Sequence, residues 1–496
     1  MEPQIDNMET IAAIATPAGT GGIAVIRLSG ADALSIADSV WKGVTLSVAP
    51  THTAHLGEII SADGSTLDQA VATIFAEGKS FTGEPTVEFS IHGATWLQRE
   101  VLARLIEAGA RMARPGEFSQ RAVMNGRMDL AQAEGVADLI AASSRAAHRL
   151  ATQQMKGVFS QRLNSLRQQM IDLASLLELE LDFSEEDVEF ADRTRLLEIC
   201  RSAQAEIDSL ASSFRTGKAL KDGVAVVIAG IPNAGKSTLL NRLLEDEKAI
   251  VSDIPGTTRD IIEDTVEIDG ILYRFIDTAG LREATDEIER IGIDRAQSRI
   301  RTADILLYLL DPTTDLSPQI SDLNTLRYTL PPDIPVIPLL TKSDLIPVPN
   351  DAAPVSESDL TPVLNGITPV SESDLTPTEK LVKTQDTPLS PITTPLRISA
   401  RTGEGLSALT ARLKSIATAG HDPTRELLIT NLRHYEALTA ASVALARTRD
   451  AMLADLPADL IAQDLREAIH HLGLITGAIT TNDLLQTIFS RFCIGK

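Results

Sequence analysis

Cysteine, long apolar runs and positive charge are all scarce in this sequence. Only two cysteines occur among its 496 residues, Cys200 and Cys493, which excludes a disulfide framework and favours a reducing cytoplasm. No stretch approaches the ~20 consecutive apolar residues that a membrane helix needs. The first residues, MEPQIDNMETIAAIATP, carry acid where a secretory signal carries Lys or Arg. We therefore expect a cytoplasmic protein with no membrane-spanning segment.

The overall charge is strongly negative. Because 45 basic residues face 68 acidic ones, the formal charge is −23, which argues against indiscriminate binding of nucleic acid but not against a local basic face. Hydrophobic residues make up 43% of the chain, enough for packed cores, so wholesale disorder is excluded. At roughly 100–200 residues per domain, the length predicts about three domains.

The pattern of apolar residues changes after residue 124. Residues 1–124 mix short apolar runs with turns, and Ile11–Ala15 and Ile23–Leu28 are predicted strands. The pattern then becomes helical, and apolar residues in steps of three and four predict one buried stripe on a long helix. The members of this stripe are Phe159, Leu163, Leu166, Met170, Leu173 and Leu177.

Residues 218–417 alternate strand-like and helical patterns, which predicts a mostly parallel sheet covered on both faces. The predicted strands are Val224–Ala229, Ile271–Ile276, Asp304–Leu310, Val336–Leu340 and Leu396–Ser399. Helical segments at 125–217 and 418–496 flank this region. We therefore predict an α/β domain inserted into an all-α domain that is built from two chain segments.

One segment stands apart from these patterns. Residues 346–395 hold nine of the 24 prolines, and PVSESDLTP occurs twice, at 354–362 and 369–377. Because proline and acidity both oppose a packed core, we predict a duplicated, disordered insertion.

A phosphate-binding motif follows the first predicted strand of the α/β region. Gly230-Ile-Pro-Asn-Ala-Gly-Lys-Ser237 fits G-x-x-x-x-G-K-[ST]. Its glycines allow backbone N–H groups to surround phosphates, Lys236 can reach the β and γ phosphates, and Ser237 can hold Mg²⁺. The motif predicts a nucleoside triphosphate as ligand.

Three further elements follow later strands and select the base. Asp277-Thr-Ala-Gly280 offers an acid for Mg²⁺ and an N–H for the γ-phosphate. Thr341-Lys-Ser-Asp344 places an acid that can accept both donors of a guanine edge, which adenine lacks, and Ser399-Ala-Arg401 adds a backbone donor toward guanine O6. Thr341 replaces the Asn of the commonest N-K-x-D motif. The sequence therefore predicts GTP rather than ATP.

The group that orients the attacking water is not evident from spacing. Ras-like enzymes place Gln directly after the DTAG glycine, and this chain has Leu281 there. One of the acids that follow must serve, or the protein is a nucleotide switch without catalysis. These acids are Glu283, Asp286, Glu287 and Glu289.

Several long motifs resemble one family. Asn233, SDIPGTTRD (252–260) and DTAGLREATDEIERIG (277–292) are similar to the MnmE (TrmE) family of tRNA modification GTPases. The resemblance continues at both ends of the chain, and it excludes only the insertion. The further motifs are TIAAIATPAGTGGIAVIRLSG (10–30), SFTGEPTVEFSIHG (80–93), ARPGEFSQRAVMNGRMDLAQAEGVADLI (113–140) and FCIGK (492–496).

The resemblance implies a K⁺-activated GTPase in which the cation occupies the place of an arginine finger. It implies K⁺ binding by Asn233, Ser252, Ile254 and Thr257, Mg²⁺ binding by Ser237 and Thr258, and catalysis by Glu289 with Lys236. The GTP-binding set is Asn233, Ala234, Gly235, Lys236, Ser237, Thr238, Ser252, Asp253, Ile254, Pro255, Gly256, Thr257, Thr258, Asp277, Thr278, Ala279, Gly280, Thr341, Lys342, Asp344, Ser399, Ala400 and Arg401.

The resemblance also implies a domain of α+β structure at 1–124 that binds a 5-formyl- or 5,10-methylene-tetrahydrofolate and forms a homodimer. The implied folate contacts are Arg27, Glu88, Arg127, where many relatives have Lys, and Lys496. Cys493 alone would be a structural thiol, whereas the terminal C-[ILV]-G-K motif implies a role in modification.

The reaction implied is addition of an aminomethyl or carboxymethylaminomethyl group to carbon 5 of the tRNA wobble uridine. The implied partner is MnmG (GidA), which carries FAD and assembles into a heterotetramer. Residues 139–167 contain five basic residues and no acid, which predicts either an RNA-binding face or an ordinary solvated helix. The alternatives to this function are an rRNA-binding ribosome-assembly GTPase and a non-enzymatic guanine-nucleotide switch.

Overall fold

The computed structural model describes residues 9–182, 193–246, 263–277, 303–331, 334–345, 392–423, 425–479, 482–490, 492 and 495. These residues form two compact units. The first unit comprises Met1–Ile140, Thr152–Ala205 and Ala437–Lys496, and the second comprises Ala141–Ala151 and Glu206–Glu436. The chain thus leaves and re-enters each unit, whereas the predicted three-way division at 124, 217 and 417 stays a proposal about domain limits.

Thirteen strands lie in the described residues: β1 Ile11–Ile14, β2 Ile23–Ser29, β3 Trp41–Lys42, β4 Thr53–Ile60, β5 Thr66–Phe75, β6 Thr86–His92, β7 Arg111–Met112, β8 Val224–Gly230, β9 Glu263–Ile268, β10 Ile271–Asp277, β11 Ile305–Leu310, β12 Val336–Leu340 and β13 Leu396–Arg397.

Fourteen α-helices lie in the same described ranges: α1 Ala33–Ser39, α2 Thr95–Glu107, α3 Glu117–Met124, α4 Leu130–Ala141, α5 Arg145–Met155, α6 Val158–Asp182, α7 Arg193–Ser212, α8 Phe214–Asp222, α9 Lys236–Asp246, α10 Leu316–Thr329, α11 Leu406–Thr418, α12 Leu432–Leu453, α13 Ala458–Thr476 and α14 Asn482–Phe489.

The first unit contains a seven-stranded sheet in the order β3-β4-β5-β6-β2-β1-β7. Its strands are antiparallel except for the pair β1 and β7. Apolar residues at alternate positions of β2, Ala24, Ile26 and Leu28, face a core that α1 and α2 also enter. The two strands predicted at the start of the chain are confirmed.

An ionic cluster includes Arg111 of the edge strand β7. The Arg121 side chain is 1% exposed and donates to Glu84 at 3.2 Å and to Glu117 at 3.0 Å, while Arg111 donates to Glu117 at 2.6 Å. Burial alone would raise the pKa of the Glu117 carboxyl, but Arg111, the Arg114 N–H and Arg121 lower it further than burial raises it. Glu117 is therefore held ionised inside the fold.

The long apolar stripe on α6 is buried, as predicted. All six of its members are at most 3% exposed, and α6 packs lengthwise on α13, which explains why the stripe needs a helical partner from the end of the chain. Cys200 on α7 is also buried, and desolvation raises the pKa of its thiol to about 11. Cys200 is therefore a residue of the core.

The second unit contains a six-stranded sheet in the order β13-β12-β11-β8-β10-β9. Side chains of β8 alternate between two cores, one shared with α9 and α11 and the other with α10. All pairs are parallel except β10 with β9, an antiparallel edge strand that the sequence prediction missed. The α/β architecture predicted for this region is otherwise confirmed.

The chain segments that lead into and out of this sheet contact each other closely. The Ile429 N–H donates to the Ser213 hydroxyl at 3.0 Å, and the rings of Phe214 and Tyr435 stack at 4.7 Å. A Cβ on Gly217 in α8 would stand 2.1 Å from the Ile429 carbonyl oxygen. Only glycine allows α8 to approach the 428–430 segment this closely.

Two boundary predictions differ from the structure. The insertion predicted to end at residue 395 ends earlier, because Ile392 bridges Val336 and the Thr393 N–H donates to the Val336 carbonyl at 2.9 Å. The rest of that prediction, 346–391, lies outside the described residues. An acidic run such as residues 178–192 is typical of a solvated connection, but α6 continues to Asp182. Among described residues, no helix is long and apolar enough to cross a membrane.

Candidate functional site

The phosphate loop, residues 230–237, follows the central strand β8. Its shape depends on three positive φ angles, at Gly230 (144°), Asn233 (61°) and Gly235 (97°). A Cβ on Gly230 would stand 2.6 Å from the Leu309 carbonyl of the neighbouring β11, so only glycine fits there. The loop leads directly into α9, whose first turn presents its backbone N–H groups at the end of the sheet.

Lys236 is the first residue of α9 and is buried by the loop. Its ammonium donates to the Gly230 carbonyl at 3.0 Å and to the Ile231 carbonyl at 2.8 Å. Ser237 and Thr238 are exposed in the next positions. An ammonium folded into the loop and hydroxyls at a helix N-terminus are the groups that hold phosphates and Mg²⁺.

The base loop, residues 341–344, follows β12. The Thr341 N–H and hydroxyl both contact the Leu310 carbonyl, at 2.9 Å and 3.2 Å, and Lys342 has φ of 54°. Asp344 is exposed, and one of its oxygens accepts the Ser399 hydroxyl at 2.7 Å. A carboxylate has about four acceptor positions, so this bond leaves Asp344 capacity for the two donors of a guanine edge.

Ser399 and its neighbours follow β13. The Ser399 N–H donates to the Glu404 carbonyl at 3.0 Å, so the backbone donor predicted for guanine O6 has to come from Ala400 or the exposed Arg401. The Glu404 carboxylate accepts the Ser343 hydroxyl at 3.0 Å and thereby joins this segment to the base loop. Sequence reasoning missed Glu404, and no local pattern pointed to it.

Asp311 was also missed. It follows β11, is 3% exposed, and accepts the Lys342 ammonium at 2.6 Å. Burial opposes ionisation of Asp311, but bonds from Lys342 and Thr313 outweigh burial and lower the pKa of the carboxyl. An acid directly after a buried strand was the available signal.

Many predicted site residues lie outside the described residues, and their predicted roles stay predictions. For Asp277 the structure gives only the backbone, which ends β10 and pairs with Ile228. The residues outside are Ser252, Asp253, Ile254, Pro255, Gly256, Thr257, Thr258, Thr278, Ala279, Gly280, Glu289, Cys493 and Lys496.

Two of the predicted folate contacts are neighbours in the first unit. Arg27 and Glu88 are register partners on β2 and β6, and their side chains pair at 2.8 Å. The Arg27 guanidinium lies 5.6 Å from the Phe81 ring centroid and 5.5 Å from that of Phe118. The predicted contact Arg127 is exposed, and its stem runs beside Gly83.

The described part of the C-terminal motif returns to the same sheet. Gly495 is buried, and a Cβ on it would stand 2.4 Å from the Ile14 carbonyl. Because Ile14 pairs with Ile26, the residue before Arg27, the terminal motif lies near the strand that carries Arg27. The sequence alone gave no reason for the chain end to lie against β1.

The base-rich stretch forms α5 and the start of α6. Arg145, Arg149, Lys156 and Arg162 are exposed, whereas Arg167 is partly buried. Arg145 and Arg149 lie four residues apart, about one helical turn, which places them on one side of α5, whereas Lys156 follows the end of that helix. The described residues contain no group of three or more His, Cys, Asp or Glu side chains that could hold a metal ion.

Comparison with known proteins gives the same family along the chain. The model of the MnmE helical domain matches residues 130–493, and that of the GTP-binding protein TrmE N-terminus matches residues 10–127. The tRNA modification GTPase MnmE of Cytophaga hutchinsonii and that of Porphyromonas gingivalis are each 45% identical over 99% of this chain and 98% of their own length.

A solved GTP-binding protein of Sulfolobus solfataricus in complex with GDP aligns with 51% of this chain and 67% of its own chain, at 19% identity and a TM-score of 0.26. This similarity is too low to assign a family. The assignment rests on the two family models and on the relatives that match over nearly their full length. The chain belongs to the MnmE (TrmE) family of tRNA modification GTPases.

Proposed function

We propose that the chain hydrolyses GTP to GDP and phosphate and acts in the modification of tRNA. The observation that carries the proposal is the arrangement of the second sheet. The phosphate loop, Asp311, the base loop and Ser399 follow four adjacent parallel strands, β8, β11, β12 and β13, at the same edge. Open α/β sheets bind ligands at that edge. The full-length relatives named tRNA modification GTPase support the tRNA step.

The residues present fit GTP with Mg²⁺. The α9 N-terminus and Lys236 suit phosphates, Ser237 is an exposed hydroxyl for Mg²⁺ with Thr258 as the second, and Asp344 suits guanine. Bound Mg²⁺ would neutralise charge that develops on the β and γ phosphates. In this proposal Lys236 binds the phosphates while Asp344 fixes the base.

K⁺ activation and the catalytic acid are finer proposals. The backbone of Asn233 is in the left-handed conformation and its side chain is exposed, so its amide oxygen is suited to bind a cation. Ser252, Ile254 and Thr257 would complete the proposed set of K⁺ ligands. Glu289 would orient the attacking water. GTP turnover in KCl and NaCl tests the first point, and Glu289→Ala tests the second. Equal rates in both salts, or full activity of the variant, would refute the respective assignment.

The modification step would use a tetrahydrofolate derivative in the first unit. The side chains of Arg27 and Glu88 are 19% and 25% exposed, so this pair can offer a hydrogen-bond donor and an acceptor to a ligand. The aromatic rings of Phe81 and Phe118 lie beside Arg27, and such a site suits a flat heterocycle. Arg127 and Lys496 are the further proposed contacts. The folate would supply a one-carbon unit, and Cys493 would serve modification but not GTP hydrolysis.

The partners of this step are also proposed. We infer a homodimer that joins FAD-containing MnmG in a heterotetramer in the cytoplasm and modifies carbon 5 of the wobble uridine. The exposed side of α5 that carries Arg145 and Arg149 is the proposed tRNA contact. Mass analysis of tRNA nucleosides from cells with and without the gene tests the reaction. Unchanged wobble uridines would refute it and would favour the rRNA-binding alternative.

A further inference from the structure

Lys342 carries a backbone strain that needs a compensating contact. Its φ of 54° lies in the left-handed region, which a residue with a Cβ adopts at a cost. Lys342 stands in the middle of the base loop, two residues before Asp344. If its backbone relaxed, the direction of the Asp344 carboxylate would change with it. The loop therefore depends on whatever holds Lys342.

Asp311 is the group that holds it. The Lys342 ammonium donates to the Asp311 Oδ2 at 2.6 Å, and the other oxygen, Oδ1, accepts the Thr313 N–H and hydroxyl at 3.0 and 2.6 Å. The Asp311 backbone is fixed as well, because the amide of Gln319 bonds to its N–H and to its carbonyl at 2.8 and 3.0 Å. Asp311 is thus a rigid, buried anchor that is joined to both β11 and α10.

Thr341 forms a further attachment between the base loop and the end of β11, next to the one made by Asp311. Its hydroxyl donates to the Leu310 carbonyl at 3.2 Å, so it is turned back toward β11. The base loop is consequently attached to the end of β11 at two points, through Thr341 to Leu310 and through Lys342 to Asp311. The second attachment is the charged one, and charge-assisted hydrogen bonds are the stronger kind.

Resting on the proposed function, we propose that Asp311 is a positioning residue for guanine-nucleotide binding: it fixes Lys342 in its left-handed conformation and so holds Asp344 where it meets the base. Asp311 acts through Lys342 and touches neither the phosphates nor the reacting atoms. Loss of Asp311 should therefore raise Kd and KM for guanine nucleotides and leave kcat at saturation unchanged.

The first experiment measures Kd for GDP by fluorescence titration and steady-state GTP hydrolysis of the full chain. Asp311→Asn should weaken GDP on the order of tenfold and raise KM similarly, with kcat within about twofold of wild type. The matched control is Asp315→Asn in the same loop, which keeps the cap that Asp315 gives to the Ser317 N–H and should change nothing.

The second experiment separates strain from direct contact and does not depend on Asp311→Asn folding. If Lys342 acts by holding its own backbone, Lys342→Gly should bind GDP more tightly than Lys342→Met, since glycine adopts φ of 54° without a penalty. Combining Asp311→Asn with Lys342→Met should cost no more than the worse single change. Additive losses, or Gly binding no better than Met, would overturn the inference.

Failure of the proposed function gives a different result. If the wild-type chain neither binds GDP nor hydrolyses GTP, the proposed function falls and this inference falls with it. If the wild type binds GDP and Asp311→Asn binds equally well, only the positioning role of Asp311 is refuted. A fall in kcat that accompanies the rise in KM of Asp311→Asn would also refute it, because that pattern indicates damage to the phosphate loop.

Discussion

Gly217→Ala tests the close approach of α8 to the segment that leaves the second unit. The added methyl group would stand 2.1 Å from the Ile429 carbonyl oxygen and 2.8 Å from its carbonyl carbon. Both atoms belong to the backbone, so no side-chain rotation can relieve the overlap. The two segments would have to separate by roughly 1.3 Å to reach the 3.4 Å of ordinary contact.

The expected cost has three parts. Overpacking a well-packed site costs about 1–3 kcal/mol. The same displacement would lengthen the buried bond from the Ile429 N–H to the Ser213 hydroxyl, worth about 0.5–1.5 kcal/mol. Alanine gains about 1 kcal/mol over glycine inside a helix, which offsets part of this. We therefore expect a net loss of about 1–3 kcal/mol.

The assay is denaturant unfolding followed by circular dichroism, with hydrogen exchange of peptides from α8 and 428–430 to localise the effect. Lys218→Ala, the next residue, is the matched control because its side chain is exposed, and we expect it to stay within about 0.5 kcal/mol of wild type. Gly22→Ala controls for the chemical change, since a Cβ there meets nothing within 4 Å. A Gly217→Ala variant as stable as wild type would refute the reasoning.

Four further predictions concern the site and the first unit. Lys236→Ala should lower GTP turnover by about a hundredfold or more, because the ammonium that reaches the phosphates is lost; unchanged turnover would contradict its role. Asp344→Asn should weaken GDP by about a hundredfold and improve binding of xanthosine diphosphate, whose C2 carbonyl can accept the new amide N–H, as paired titrations would show. Because the pKa of Glu117 is lowered in the folded protein, the ionised carboxylate stabilises the fold fully above the ordinary pKa of 4.5, and this stabilisation is lost as the pH falls through the lower folded pKa. The unfolding midpoint of the wild type should therefore fall more steeply with acid than that of Glu117→Gln. Removing the charges of Arg145 and Arg149 together should weaken tRNA binding and reduce its salt dependence by about one unit per lost contact, with GTP turnover as the unaffected control.

The sequence predicted the elements of the second sheet well because their signals are local. Each buried strand is a continuous apolar run, and the phosphate loop follows β8 with glycines at positions of positive φ. The prediction missed β9, because its polar residues EDTVEI give little apolar signal at a sheet edge. It placed the end of the insertion four residues too late, since Ile392 pairs with Val336 through tertiary contact.

The contacts that shape the site were decided by the tertiary structure. Asp311 contacts Lys342, which is 31 residues later in the sequence, and Ser343 contacts Glu404, which is 61 residues later. Sequence periodicity does not predict contacts at such separations. Neighbouring strands β11, β12 and β13 bring these residues to one edge, and strand order is a property of the folded chain. By itself the sequence determined the parallel strands of the second sheet, the α6 stripe and the chemical groups that can bind GTP, because residue type and spacing act locally. Only the packed sheet decided which buried acid holds the base loop and why Gly217 must be glycine, because both depend on atoms distant along the chain.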